Sequence, residues 1–446
     1  MATQRHGGDR LSALPDKALE QILSRLASDE AARASVLSRR WRHVSDAVPV
    51  VDLVDRKIRR PWCGRRSTPV CFDQQVASAV LSRDAGTPIR VFRLRALHPP
   101  AVLLDQWIVI ASTSGAEEID VELQGSYTKT PRQLFRCDTL RRLCLTNWTL
   151  DLPCGVLIAA SLETLCLKRI MAPGAALQQL VASCPNLADL TLEECPGVTE
   201  ITGLRPDDLQ FLDVPSYEEV AALTIDICDD LTCKGSHEVA PVMELINRCK
   251  NLTYLHLALR PSMTCYSTEF AAIIRGLPEL RQLVLKGLMA TDHAIQSVAL
   301  LIVNIGHLEV LSLIPLGLKR PKSKEGNYAN GEDYQDDYDE DDDYEDEDCD
   351  DGDNYDDSGD GDYYETLRNM WRMGIPCLSH SLKRINIAKY NGSGLDRILA
   401  YFLLSKGTTL QEFSVTLSAQ LSPHKEDIAV EFRSWRCNPS ATVTCK

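Results

Sequence analysis

Side chains able to bind metals or move protons are plentiful here: nine His, sixteen Cys and 63 Asp or Glu in 446 residues. Their spacing does not assemble a catalyst. The cysteines never stand as CxxC, so the usual sequence signatures of zinc and dithiol chemistry are missing, and reduced, mostly buried thiols are expected. The histidines do not pair with Cys or carboxylates at ligand spacing. GxSxG, HExxH, the P-loop and GxGxxG are absent, which leaves acyl transfer, zinc hydrolysis and nucleotide chemistry without a motif. A calcium loop needs alternating acids, Gly at its sixth position and Glu at its twelfth. Counting from Asp356 gives Ser358, Asp360 and Gly361, but Leu367 stands twelfth. No catalytic residue, metal site or cofactor is expected, and the chain reads as non-catalytic.

The acids are local. Between Glu332 and Asp362 there are 20 of them and no Lys or Arg, and without them the net charge of −15 becomes +5. Such a tract is expected to be a solvated, disordered stretch, with Tyr334, Tyr338, Tyr344 and Tyr355 as contact points, phosphorylation sites or plain spacers. Arg56, Lys57, Arg59, Arg60, Arg65 and Arg66 form a basic segment without regular aromatic interleaving, so a nucleic-acid partner is not expected. Lys319-Arg320-Pro321-Lys322 has the pattern of a nuclear import signal. Met1–Arg10 is polar and no apolar run nears the roughly 18 residues of a membrane span, so secretion and membrane insertion are not expected. The expected location is intracellular, nucleus and/or cytoplasm.

The elements that would carry a function fall into two kinds. In Asp9–Val44, Leu14-Pro15-Asp16 precedes Leu19, Ile22, Leu23 and Leu26, an i, i+3, i+4, i+7 stripe. Pro15 and Asp16 suit a helix start. Ser28 and Ser38 suit the N-caps of two further short helices, the third carrying Trp41. Three helices in about forty residues present more apolar surface than so small a unit can bury by itself, so the segment requires a partner.

From Ile89 onward one pattern recurs, L-x-x-L-x-L. Copies lie at Ile89/Phe92/Leu94, Leu140/Leu143/Leu145, Leu162/Leu165/Leu167, Leu187/Leu190/Leu192, Leu209/Leu212/Val214 and Val220/Leu223/Ile225. Others lie at Leu252/Leu255/Leu257, Leu280/Leu283/Leu285, Leu308/Leu311/Leu313, Leu382/Ile385/Ile387 and Leu410/Phe413/Val415, with a weaker one at Val121/Leu123. Intervals of 22, 25 and 28 residues are those of leucine-rich repeats, a strand plus a helical return. Leu308 to Leu382 is 74, and removing one 28-residue repeat leaves 46, the size of the acidic stretch. That stretch is therefore expected to leave the solenoid unbroken. Asn or Cys eight residues after the first Leu would close each turn, yet only Cys195 fits, while Trp148, Ile170, Arg260, Leu288 and Tyr390 occupy the equivalent places. An irregular horseshoe without an asparagine ladder is expected. By strand alternation, Arg142, Asp189, Phe211, Asp213, Tyr254, His256, Gln282, Arg384 and Glu412 face away from the core. Arg142, Phe211, Tyr254, His256 and Arg384 are the candidate substrate-binding residues.

Leu14-Pro15-Asp16, Ile22-Leu23-Ser24, Arg33 and Val36-Leu37-Ser38-Arg39-Arg40-Trp41-Arg42 together resemble the plant form of the F-box. Ala27 replaces a common Pro, and Ala34 a common Thr. Cys377–Cys445, with Leu382-Lys383-Arg384-Ile385 and Leu410-Gln411-Glu412-Phe413, resembles the FBD region that ends many plant F-box proteins. The resemblance implies an α/β chain: a short all-α F-box, then an irregular leucine-rich-repeat solenoid interrupted by a disordered acidic insert. The expected division is a disordered tail at 1–8, F-box 9–48, N-terminal cap of the solenoid 49–88, repeats 89–318, insert 319–364 and final FBD-like repeats 365–446. It further implies the substrate-recognition subunit of a Skp–cullin–F-box ubiquitin ligase. Leu14, Pro15, Leu19, Ile22, Leu23, Leu26, Val36, Leu37 and Trp41 would contact the Skp adaptor and pack the helices, cullin would join through the adaptor, and the repeats would hold a protein substrate. The alternative is a leucine-rich acidic nuclear protein that binds histones or other basic partners.

Overall fold

The computed structural model describes residues 14–26, 30–31, 40–41, 43–44, 48–55, 71–81, 83, 87–125, 128–152, 160–172, 174–195, 219–226, 239–258, 268–287, 292–316, 372 and 374–446. Val36, Leu37, Phe211, Asp213, the basic 56–66 segment and the acidic insert lie outside these residues.

Helix α1 spans Asp16–Leu23. Strand β1 (Val50–Val54) follows, then α2 (Phe72–Leu81), β2 (Val91–Leu97), α3 (Ala101–Thr113), β3 (Glu118–Gln124), β4 (Thr128–Lys129), β5 (Arg142–Thr146) and β6 (Trp148–Thr149). The central part is β7 (Thr164–Lys168), α4 (Gly174–Ala182), β8 (Asp189–Glu193), β9 (Ala222–Asp226), α5 (Val239–Arg248) and β10 (Tyr254–Ala258). It continues as α6 (Thr268–Arg275), β11 (Gln282–Gly287), α7 (Asp292–Val303) and β12 (Val310–Pro315). The C-terminal part is α8 (Pro376–His380), β13 (Arg384–Tyr390), α9 (Gly394–Lys406), β14 (Glu412–Leu417), α10 (Lys425–Trp435) and β15 (Thr442–Cys445).

Among the described residues thirteen strands form one parallel sheet in the order β1-β2-β3-β5-β7-β8-β9-β10-β11-β12-β13-β14-β15, and β4 and β6 make a small separate pair. Parallel neighbours require long crossovers, which the helices supply. The repeated leucines set the register: Leu143 pairs with Leu165, Leu165 with Leu190, Leu255 with Leu283 and Leu283 with Leu311. These side chains alternate inward and join Val242, Leu245 and Ile246 of α5, Phe270 and Ile274 of α6, and Ile295, Val298 and Ile302 of α7 in one core. Each fully buried leucine contributes roughly 1.5–3 kcal/mol, which makes this row the main determinant of the fold.

β8 pairs directly with β9, and the Leu209/Leu212/Val214 copy expected from the sequence lies outside the described residues. The sheet also continues past Val415: Phe413 pairs with Val443 and Val415 with Cys445, adding β15. Tyr390, Phe413 and Trp435 all contact Phe432 of α10 at ring-centroid distances of 5.5 Å, fixing that helix under the last strands. β12 pairs directly with β13, with Leu311 opposite Ile385 across 74 residues of sequence.

The turn after each strand explains how the solenoid manages without asparagine. His98, Asn147, Arg169, Glu194 and Lys389 have positive φ, between 46° and 63°. Asn tolerates that region best and the others carry a steric cost of about 1–2 kcal/mol. The residue after four of them then turns inward: Trp148, Ile170, Cys195 and Tyr390 are all buried. The Trp148 indole N–H donates to the Val121 carbonyl at 3.1 Å, and the Cys195 thiol to the Leu167 carbonyl at 3.4 Å. Indole and thiol thus satisfy strand-end carbonyls that a repeated asparagine would otherwise serve.

Candidate functional site

Two surfaces compete for a role. The first is α1. Its start is tied to a later helical residue, since Arg40 bonds Asp16 Oδ1 at 2.7 Å and the Leu14 carbonyl at 2.5 Å. Leu19, Leu23, Ala31, Trp41, Val44 and Val48 form a small core of their own, with Leu14, Leu26 and Val50 packed against it. The helix ends at Leu23, and Leu26 lies in the turn beyond it. Val48 and Val50 lead into β1, and Arg83 donates to both carbonyls, at 2.6 and 3.3 Å. That contact anchors the helical unit to the first strand.

Sequence alone assigns the apolar residues of α1 to packing and docking together; burial divides them. Leu19, Leu23 and Trp41 serve the unit's own core. Ile22 is 37% exposed and Pro15 is exposed, so these two are available to a partner. Leu14 and Leu26 are half-buried.

The second surface is the sheet face opposite the core. Register places three outward rows on it. The first runs Val50, Val91, Glu118, Arg142, Thr164, Asp189, Ala222, Tyr254, Gln282, Val310, Arg384, Glu412 and Thr442. The candidate residues Arg142, Tyr254 and Arg384 therefore share one row, with His256 in the next. They do not converge on one point: Arg142 and Tyr254 are four strands apart, about 19 Å at ordinary strand spacing.

Ion pairs fill the N-terminal part of this face. Arg93 bonds Glu118 at 2.9 and 3.3 Å and approaches Asp52 at 3.8 Å. Arg95 meets Glu122 at 3.3 Å, Arg142 meets Glu118 at 3.9 Å, and Lys168 meets Glu193 at 2.8 Å. Burial raises the carboxyl pKa of Asp120 and of Asp189. In the middle, Lys286 bonds Asp226 at 2.5 Å across Ala258, whose small side chain leaves the path open. Beside them the His256 ring is held below its ordinary pKa by burial, with Asp226 opposing and Lys286 reinforcing the shift. Its Nε2 is buried and has no hydrogen-bond partner among the described residues. Tyr254 is also shifted, its phenol pushed up by burial.

Sequence reasoning missed the third outward row, which includes Glu122, Thr146, Lys168, Glu193 and Asp226. The strands run one residue pair further than the leucine motif that marks them. Among the described residues no group of three or more His, Cys, Asp or Glu is arranged to hold a metal, and no helix is long and apolar enough to cross a membrane.

Fold and surfaces define a leucine-rich-repeat protein with an N-terminal helical unit. Comparison with known proteins names both parts. The F-box domain model matches residues 11–52, and the leucine-rich-repeat model of FBD-associated F-box protein At5g56370 matches residues 104–227. F-box/FBD/LRR-repeat protein At5g56420 of Arabidopsis thaliana is 31% identical over 196 residues, 42% of this chain and 44% of the relative. FBD-associated F-box protein At5g38590 of the same plant is 27% identical over 245 residues, 50% of this chain and 58% of the relative. The matched region thus spans about half the length of these relatives. A solved leucine-rich repeat-containing protein, LegL7 from Legionella pneumophila, aligns over 77% of this chain and 87% of its own at 13% identity, with a TM-score of 0.35 that carries no argument. Over these regions the chain is similar to plant F-box/leucine-rich-repeat proteins.

Proposed function

We propose that this chain is the non-catalytic substrate receptor of a Skp–cullin–F-box ubiquitin ligase. The observation that carries the reading is the division within α1: Leu19 and Leu23 are spent on internal packing, while Ile22 and Pro15 of the matched F-box remain open. Exposed apolar residues next to a small, self-contained core suit a flat apolar contact with a Skp-type adaptor. Cullin joins through that adaptor. The outward face of the sheet, with Arg142, Tyr254, His256 and Arg384, is the proposed contact for a protein substrate. Its mixed charge suits contact with a protein surface. On this reading the chain works in the nucleus or cytoplasm.

Adaptor pull-down from full-length chain provides the test. Ile22→Glu, on a side chain outside the core, and the double change Leu14→Ala with Pro15→Ala should each abolish capture while the sheet stays folded by circular dichroism. Undiminished capture by either folded variant sinks the assignment. Salt-sensitive histone binding that disappears on deleting 319–364, together with no adaptor capture, would favour the acidic nuclear alternative instead.

A further inference from the structure

Cys144 of β5 and Cys166 of β7 are register partners on adjacent parallel strands. They lie on the outward face, because Leu143, Leu145, Leu165 and Leu167 on either side of them turn into the core. Both are free thiols. Neighbouring strands run about 4.8 Å apart, inside the Cα window of roughly 4.4–6.8 Å that a disulfide accepts. We propose that Cys144 and Cys166 form a reversible dithiol–disulfide site, oxidised by hydroperoxides and restored by thiol reductants.

Their surroundings divide the labour between them. Register sets the two thiols side by side, and the neighbouring Cys144 thiol lowers the Cys166 pKa against the opposing effect of burial, with Lys168 adding to the lowering. The same pairing, with burial, raises Cys144 and keeps it protonated. Cys166 is therefore the attacking thiolate and Cys144 the resolving thiol. The Cys166 thiolate attacks one peroxide oxygen, the O–O bond breaks, and hydroxide leaves and is protonated to water, giving a sulfenic acid. The Cys144 sulfur then attacks the Cys166 sulfur, the S–O bond breaks, and a second water leaves with the Cys144 proton. Two thiols and one hydrogen peroxide give one disulfide and two waters. A relative exposure of 6% and 9% leaves room for so small an oxidant, whereas Cys249 and Cys377 are at 0%.

The core thiols act as internal references. Burial raises Cys184 and Cys195 to about 11 and Cys249 and Cys377 to about 12. A thiol at about 11 rather than 9 carries about a hundredfold less thiolate. Full-length reduced chain should be exposed to graded hydrogen peroxide, alkylated and mapped by mass spectrometry, with and without later dithiothreitol. The expected result is a Cys144–Cys166 linked peptide, lost on reduction, formed about a hundredfold faster than any change at Cys184, Cys195, Cys249 or Cys377. In Cys144→Ser, a sulfenic acid should persist at Cys166 and be trapped by dimedone; in Cys166→Ser, none should form at Cys144. The proposal is overturned if both thiols remain alkylatable after exposed Cys71 and Cys437 have oxidised, or if either pairs preferentially with another cysteine.

Discussion

The two ends of the sheet are built on the same backbone and present opposite surfaces. In the middle outward row, β1–β3 offer Asp52, Arg93 and Asp120, whereas β11–β15 offer Val284, Ser312, Asn386, Ser414 and Thr444. The first inward row, from Val51 to Val443, is Leu, Ile, Val or Phe throughout. The inward row holds the strands in register, and the outward row is left free to vary from charged to neutral. The middle row turns neutral after Asp120, through Cys144, Cys166, Thr191 and Thr224. Between the two ends, at β9–β11, Asp226, His256 and Lys286 crowd together, and this junction is where the contrast is best tested.

The largest loss is expected where the charged end rests on its core. Trp148→Ala removes a fully buried indole and its bond to Val121, and should destabilise the fold by about 3–5 kcal/mol in urea titration. A loss under about 1 kcal/mol would show that the strand-end carbonyls need no such donor. At the junction, Lys286→Met takes the ammonium away from a largely buried Asp226, and a cost of about 2–3 kcal/mol is expected. That is below the 3–5 kcal/mol of a fully buried pair because Lys286 is partly exposed.

His256 gives the junction a pH signature. Its folded-state pKa lies below the ordinary 6.5, so the unfolded chain takes up the proton first. The stability from neutral His256 is complete above about pH 6.5 and falls away as pH drops through that value toward the folded-state one. His256→Gln should flatten the stability profile between pH 7 and pH 5, and an unchanged slope would assign it to other groups. The smallest effect is expected at the charged end's own surface. Arg95→Ala breaks a solvent-facing pair with Glu122 and should cost less than about 1 kcal/mol, less still in high salt.

The strands were legible because their core residues are leucines at a fixed interval, and the outward positions followed by alternation. Arg142, Tyr254, His256 and Arg384 all stand on that face. β15 was not legible: the position matching Leu410 is Ser440, and the inward residues are Val443 and Cys445 in a strand of four. Nor was the split within α1, because periodicity gives Ile22 and Leu23 equal standing and only the packed neighbours Trp41 and Val48 separate them. The Cys144–Cys166 pair had a signal of its own. Their 22-residue separation equals that of Leu143 and Leu165, which is the arithmetic of two side chains in one register.

β12 and β13 pair in register although 74 positions separate Leu311 from Ile385, where other crossovers of the sheet manage with 28. For a flexible crossover the closure cost grows with the logarithm of its length, about 0.6 kcal/mol per doubling. Strand pairing here is thus insulated from how much sequence is spliced between the two strands. The crossover is a port in the solenoid: duplication, deletion or a grafted reporter domain can change its length without rewriting the outward sheet face beside it.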